Sequence, residues 1–186
     1  MMNFVAIDFE TATSERNSAC SVALVDIQDG RMSSSYSTLI KPPQTVFTPQ
    51  NVAINGITID MVKNAPTFAD IFPQLRQIME NRTVIAHNAS FDMSVMRYCM
   101  QEYNLPKIKF DTCCTVKISQ KVWPDLYNHK LNTIGDFFNI KFSHHDALDD
   151  AKVCAKIPLV AGRTINAADF DTLISKIGLT KQPFKY

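Results

Sequence analysis

No C-x-x-C pair occurs in the chain, and its five cysteines (Cys20, Cys99, Cys113, Cys114 and Cys154) are an odd number. That pattern argues against a disulfide framework or a structural zinc site and fits free thiols in a reducing compartment. Excess positive charge is missing too, since the 186 residues carry a formal charge of +1. A protein that coats long nucleic acid neutralises many phosphates with Lys and Arg, so near-neutrality argues against a wrapping scaffold. It leaves open an enzyme that holds a few nucleotides through bound cations, whose charge a residue count omits. No apolar run approaches membrane-spanning length, and Met1 to Asp8 has neither a basic start nor the length of a secretion signal. Repeats and low-complexity blocks are also absent. The expectation is a soluble, cytoplasmic protein without a membrane partner.

The chain does have an ordinary globular balance, 46% hydrophobic and 20% charged, at a length that suits one α/β domain. Phe4 to Phe9 reads as a buried central strand and Ser21 to Ile27 as a second. The turn Gln28-Asp29-Gly30-Arg31 then returns the chain antiparallel through Ser33 to Ile40. Positions 44–66 read as loop with short helical turns near Asn51 and Asp60. Phe68, Ile71, Phe72, Leu75, Ile78 and Met79 have helical spacing behind a Thr67 N-cap, although Pro73 interrupts the pattern. Thr83 to Ala86 is a further strand, and Met93, Met96, Met100 and Tyr103 mark a helix with methionines as core filling. Helices are expected near 113–122, 130–138, 147–159 and 167–177. Residues 1–162 would form the main domain and 163–186 a C-terminal helix and tail. The element order predicts a mixed sheet flanked by helices.

Three separated segments carry acids. Asp8 and Glu10, two apart on a strand, project from the same face, and next to Phe4-Val5-Ala6-Ile7 they need neutralising unless they are solvated at the strand end. A hard divalent cation with oxygen ligands would neutralise them. His87-Asn88-Ala89-Ser90-Phe91-Asp92 falls where strand gives way to helix, a usual place for sites in α/β sheets. Helix capping alone would also explain Asp92, and His87 reads as a satisfied strand-end histidine. In His144-His145-Asp146-Ala147-Leu148-Asp149-Asp150-Ala151, each histidine has an Asp five residues later. Helical phase puts Asp149 beside Lys152 and Lys156, and Asp150 on the inward face with Ala147, Cys154 and Ile157. Asp146 and Asp149 read as cap and first-turn acids. Five helical residues turn through about 500°, so His145 shares a site with Asp150 only from a loop preceding the helix. A loop histidine with a near-neutral pKa suits a general base. Four acids from three segments, none of which has Lys or Arg between its own candidate residues, would suit a two-cation site.

Asp8-Phe9-Glu10-Thr11, the 87–92 segment and His145-Asp146-Ala147-Leu148-Asp149-Asp150-Ala151 together resemble the three motifs of the DEDDh 3′–5′ exonuclease family. Within it, they are similar to the branch of the DNA polymerase III epsilon subunit. The resemblance covers residues 3–160. It implies a ribonuclease H-like fold with a mixed five-stranded sheet, two Mg²⁺ or Mn²⁺ ions, and release of nucleoside 5′-monophosphates from a single-stranded 3′ end. Asp8, Glu10, Asp92 and Asp150 would be metal ligands and His145 the general base. The resemblance also places Thr11 near the terminal nucleotide. Asn55-Gly56-Ile57-Thr58 is similar to a segment contacting that nucleotide, with Asn55 in place of the usual His. Asp111-Thr112 matches a structural pair of the family. The expected substrate is DNA, with a polymerase subunit as a possible partner. The alternatives are an exoribonuclease of the same family or a nuclease-like interaction module.

Other features are read as structural. Cys113-Cys114 is read as packing, Trp123 and Tyr127 as core or part-core aromatics, and the end of the chain (Lys181, Phe184, Lys185, Tyr186) as a frayed terminus.

Overall fold

Alternation along the first strand sets the layering. The computed structural model describes residues 1–186. In β1 (Phe4–Thr11), Val5, Ile7 and Phe9 face one core, while Phe4 and Ala6 face the other. A strand buried on both sides is central, and β1 lies between β2 (Ala19–Gln28) and β4 (Thr83–Ala86). The antiparallel β2 continues through the 28–31 turn into β3 (Arg31–Leu39), the exposed edge strand. On the other side β4 is parallel to β1, and β5 (Asp111–Cys114) is parallel to β4. The first core is closed by α3 (Phe68–Met79) and α4 (Ala89–Glu102). The second is closed by α5 (Thr115–Val122), α6 (Leu131–Phe137), α7 (Ala147–Thr164) and α8 (Phe170–Lys176). Two short helices, α1 (Pro49–Asn55) and α2 (Ile59–Val62), occupy the expected loop.

Local chemistry explains several boundaries. Thr67 caps α3 and, with Asp70, forms a reciprocal capping box, which contributes about 1 kcal/mol and holds the first turn despite Pro73 inside the helix. The methionines of α4 are core, with Met93, Met96 and Met100 all buried. Gly56 ends α1 at φ +72°, and its N–H donates to the Val52 carbonyl, a left-handed cap that suits glycine.

Four expectations need correcting. The sheet has six strands, because Gln182–Pro183 forms β6 against β5. The chain end is therefore held: Phe184 stacks on Phe110 at 4.5 Å, and the Tyr186 hydroxyl donates to the Leu105 carbonyl. The segment expected to turn helical at 113 starts as strand and becomes α5 only at Thr115, since Cys113 and Cys114 pair with Ile85 and Ala86. Tyr127 is not core but 84% exposed, whereas Trp123 packs edge-on against Phe137 and Phe138.

Candidate active site

The carboxyl ends of β1 and β4 border a cavity of about 620 Å³ lined by Asp8, Glu10, Asp92, His144, His145 and Asp150, among others. Each acid arrives by a different route. Asp8 and Glu10 continue the Phe4–Ala6 face of β1 towards α7, and the β1–β2 register shifts between Glu10 and Thr11. Such a bulge re-aims side chains at a strand end. Asp150 stands in the first turn of α7 on the buried side, as helical phase predicted, and is 3% exposed. Its neighbour Asp149 faces outward and pairs with Lys152 at 3.1 Å, while Asp146 caps the helix through the N–H groups of Leu148 and Asp149.

Asp92 comes from the opposite layer, in the first turn of α4, and is buried. Beyond the end of β4 its Oδ1 accepts the Phe9 N–H at 3.1 Å, which ties α4 to the end of β1. His87 is satisfied on both ring nitrogens, by Thr115 Oγ1 at 3.0 Å and the His129 carbonyl at 2.9 Å. Burial lowers its pKa to about 4, which keeps it neutral.

One oxygen from each of Asp8, Glu10 and Asp150 lies within 4.8 Å of the others. None of Asp8, Glu10 and Asp92 forms a salt bridge with a Lys or Arg, and Asp150 meets only His144. Burial, followed by repulsion from Asp92, Asp150 and Glu10, pushes Asp8 well above the carboxylate range. Burial raises Glu10 to about 7, opposed by the Asn55 side chain, and Asp92 to about 8, opposed by the Phe9 N–H. Asp150 is raised by burial and partly restored by His144. Clustered buried carboxyls that lack cationic partners are costly, and oxygen donors at this spacing fit a hard divalent cation.

The histidine loop holds a feature that sequence reasoning left unassigned. His145 lies before α7, as required, with φ +70°, and its backbone N–H donates to Asp150 Oδ2 at 3.0 Å. The ring touching Asp150 is that of His144, whose Nδ1 lies 3.1 Å from both carboxylate oxygens. The His145 ring stacks on it at 3.9 Å. Burial and the neighbouring His144 lower the His145 pKa against the opposing charge of Asp150, and the lowering favours the neutral ring. In the sequence His144 was marked by the adjacent His pair and by Asp149 five residues later, whereas its ring meets Asp150.

Thr11 is buried at the cavity wall, held by Asn51 Nδ2, which donates to its carbonyl at 2.9 Å and its hydroxyl at 3.2 Å. Asn55 lines the same wall, but its side chain is engaged: Nδ2 donates to the Thr11 carbonyl, and Oδ1 accepts the Ile57 N–H. Ile57 itself borders a smaller adjoining cavity.

A mixed sheet of this order, with a buried acid cluster at its carboxyl ends, defines a nuclease domain of the ribonuclease H-like class. Residues 5–157 match the exonuclease family RNase_T, and the chain belongs to that family. It is similar to a PolC-type DNA polymerase III of Thermotoga petrophila, 31% identical over 96% of the chain. The chain spans only 12% of that relative's length. A DNA polymerase III subunit epsilon of Aquifex aeolicus is 28% identical over 83% of the chain and 77% of its own length. Among solved structures, exonuclease X in complex with 5′ overhanging duplex DNA matches with a TM-score of 0.71 at 25% identity, covering 95% of this chain and 94% of that one. No helix of the chain is long and apolar enough to cross a membrane.

Proposed function

We propose that this domain hydrolyses DNA from the 3′ end, one nucleotide at a time, in proofreading, repair or turnover. The observation carrying the reading is the Asp8–Glu10–Asp150 oxygen cluster, with Glu10 and Asp150 buried and Asp8 partly so, which has no Lys or Arg partner and is joined in one cavity by Asp92. In this reading Asp8, Glu10, Asp92 and Asp150 hold two Mg²⁺ or Mn²⁺ ions. When bound, the ions supply Lewis-acid stabilisation of the charge that builds on the scissile phosphate.

The remaining work belongs to the chain. His145 takes the proton from the water whose oxygen attacks phosphorus, and the bond to the 3′ oxygen of the preceding nucleotide breaks. The products are a nucleoside 5′-monophosphate and a strand one residue shorter. Asp150 holds the histidine loop through the His145 N–H and the His144 ring. Thr11, braced by Asn51 and Asn55, shapes the wall against which the terminal nucleotide rests, and Ile57 extends that wall. The similarity to the epsilon subunit supports a DNA substrate and a polymerase partner. Wild type and Asp150→Ala, given a 5′-labelled single-stranded oligonucleotide with and without Mn²⁺, provide the test. A ladder shortened from the 3′ end only with wild type and metal is the expected result. A ladder from Asp150→Ala, or none under any cation, overturns the proposal.

A further inference from the structure

Asp150 belongs to two ligand sets. Towards β1 it meets Asp8 and Glu10, which offer only oxygen, and towards the loop before α7 it meets His144 and His145, which offer two imidazoles. One ligand atom from each of His144, His145 and Asp150 lies within 4.8 Å of the others. The backbone brings this second set together. Neighbouring residues of an extended chain project to opposite sides, which would part the two rings. At His145 the chain instead takes φ +70°, pinned by its N–H on Asp150 Oδ2 at 3.0 Å, and the rings stack at 3.9 Å. His144 Nδ1 stands 3.1 Å from each Asp150 oxygen. Tetrahedral zinc with bonds of about 2.0–2.1 Å holds its ligand atoms about 3.3–3.4 Å apart, so this edge is close to the size such an ion requires. The His144 side chain is 37% exposed, which gives an ion a path from solvent.

We infer that His144, His145 and Asp150 form an inhibitory site for a transition-metal dication of the Zn²⁺ type, separate from the sites of the catalytic ions but sharing Asp150 with them. Two imidazoles and a carboxylate leave one position of a tetrahedral shell for water. Imidazole suits Zn²⁺, Ni²⁺ and Cu²⁺, whereas Mg²⁺ takes oxygen ligands in near-octahedral array and is poorly served by a pair of nitrogens. The two sets therefore sort cations by chemistry and compete for one carboxylate. An ion on the histidine set draws Asp150 from the acid cluster and occupies the lone pair with which His145 would accept the proton of water. The inhibition rests on the nuclease reading above, while occupancy of the site does not, so binding and cleavage are read separately.

Co²⁺ stands in for Zn²⁺ and reports four-coordination by its visible absorption. In excess Mg²⁺ and without nucleic acid, wild type should take up one Co²⁺ per chain with that spectrum, and Zn²⁺ should displace it. His144→Gln keeps an N–H donor for Asp150 but loses the imidazole, and it lies at an exposed position that spares the core. It should weaken Zn²⁺ uptake at least about 100-fold, beyond the roughly 10- to 100-fold that loss of a mere supporting partner costs. Asp149→Ala, an outward-facing acid beside the site, should leave uptake unchanged. In Mn²⁺-supported cleavage, the Zn²⁺ concentration that halves each variant's own zinc-free rate should rise by the same factor in His144→Gln. Unchanged uptake in His144→Gln overturns the site, and so does uptake that Asp8→Asn abolishes and His144→Gln keeps, which puts the ion in the acid cluster. Zn²⁺ bound as expected without slowing an active wild type overturns the inhibitory role. Absence of any cleavage by wild type with Mn²⁺ overturns the nuclease reading instead, and uptake alone then decides the site.

Discussion

The two ends of one sheet treat buried acids in opposite ways. At the end where β2 turns towards β3, Asp26 meets Arg82 at 2.6 Å and accepts from Gln28, and these partners hold its pKa below the usual carboxylate value against burial. At the other end Asp8, Glu10 and Asp92 have no guanidinium or ammonium partner, and burial raises all three. Burial is common to both ends, so it cannot by itself mark a functional acid. The supply of a cation by the chain distinguishes them. Where the chain supplies one, the acid supports the fold; where it withholds one, the acids stay available for an external cation.

The comparison breaks most sharply on activity. Asp8→Asn or Asp150→Ala should cut single-turnover cleavage by at least about a thousandfold, about 4 kcal/mol of barrier. Arg82→Ala should leave cleavage per folded molecule within about threefold. A loss of activity with Arg82→Ala comparable to that of the cluster variants would erase the distinction between the two ends.

Stability should show the reverse. Arg82→Ala strands Asp26 and is expected to cost roughly 1–3 kcal/mol in urea denaturation, discounted because the Arg82 side chain is 25% exposed. Asp8→Asn removes an acid whose ionisation is opposed by burial and by Asp92, Asp150, Glu10 and Asp146. It should stabilise the metal-free protein by roughly 1–3 kcal/mol. Destabilisation by Asp8→Asn would mean that its charge is already compensated.

A pH scan separates the ends by sign. Glu10 at about 7 and Asp92 at about 8 lie above their unfolded values, so the folded metal-free protein keeps protons that the unfolded chain has released. Its melting temperature should fall as pH rises from about 5 to 8 and level off beyond. Asp26, held below its unfolded value, contributes stability that is present above the ordinary carboxylate value and lost as pH falls from there through its lowered folded value. A melting temperature that rises from pH 5 to 8 without metal would contradict this picture of the cluster. The smallest effect should come from Asp149→Ala. That residue lies beside Asp150 but is paired with Lys152, and its loss should change stability by less than about 1 kcal/mol and leave activity intact.

Much of this site was legible in the sequence because its residues obey short-range geometry. A two-residue spacing put Asp8 and Glu10 on one face of β1, and helical phase separated Asp150 from Asp149. Lost information was of a different kind. Four residues with two adjacent cysteines carry no alternation strong enough to reveal β5, whose pairing comes from β4. The chain end looked frayed because a two-residue strand and the Phe184–Phe110 stack leave no periodic trace. The contact between His144 and Asp150 depends on a left-handed turn at His145, a conformation that non-glycine residues seldom adopt and composition does not announce. Asn55, seen as a replacement in a nucleotide-contacting segment, proved to brace the Thr11 backbone, a role that no spacing rule specifies.

The most direct measurement is Mn²⁺ binding to the folded protein at pH 8, followed by electron paramagnetic resonance of the free ion in wild type, Asp8→Asn and Arg82→Ala. Wild type and Arg82→Ala should take up two ions saturably, and Asp8→Asn should lose at least one. Equal uptake by wild type and Asp8→Asn, or none by wild type, would contradict the claim that these carboxylates are left unpaired to hold divalent cations.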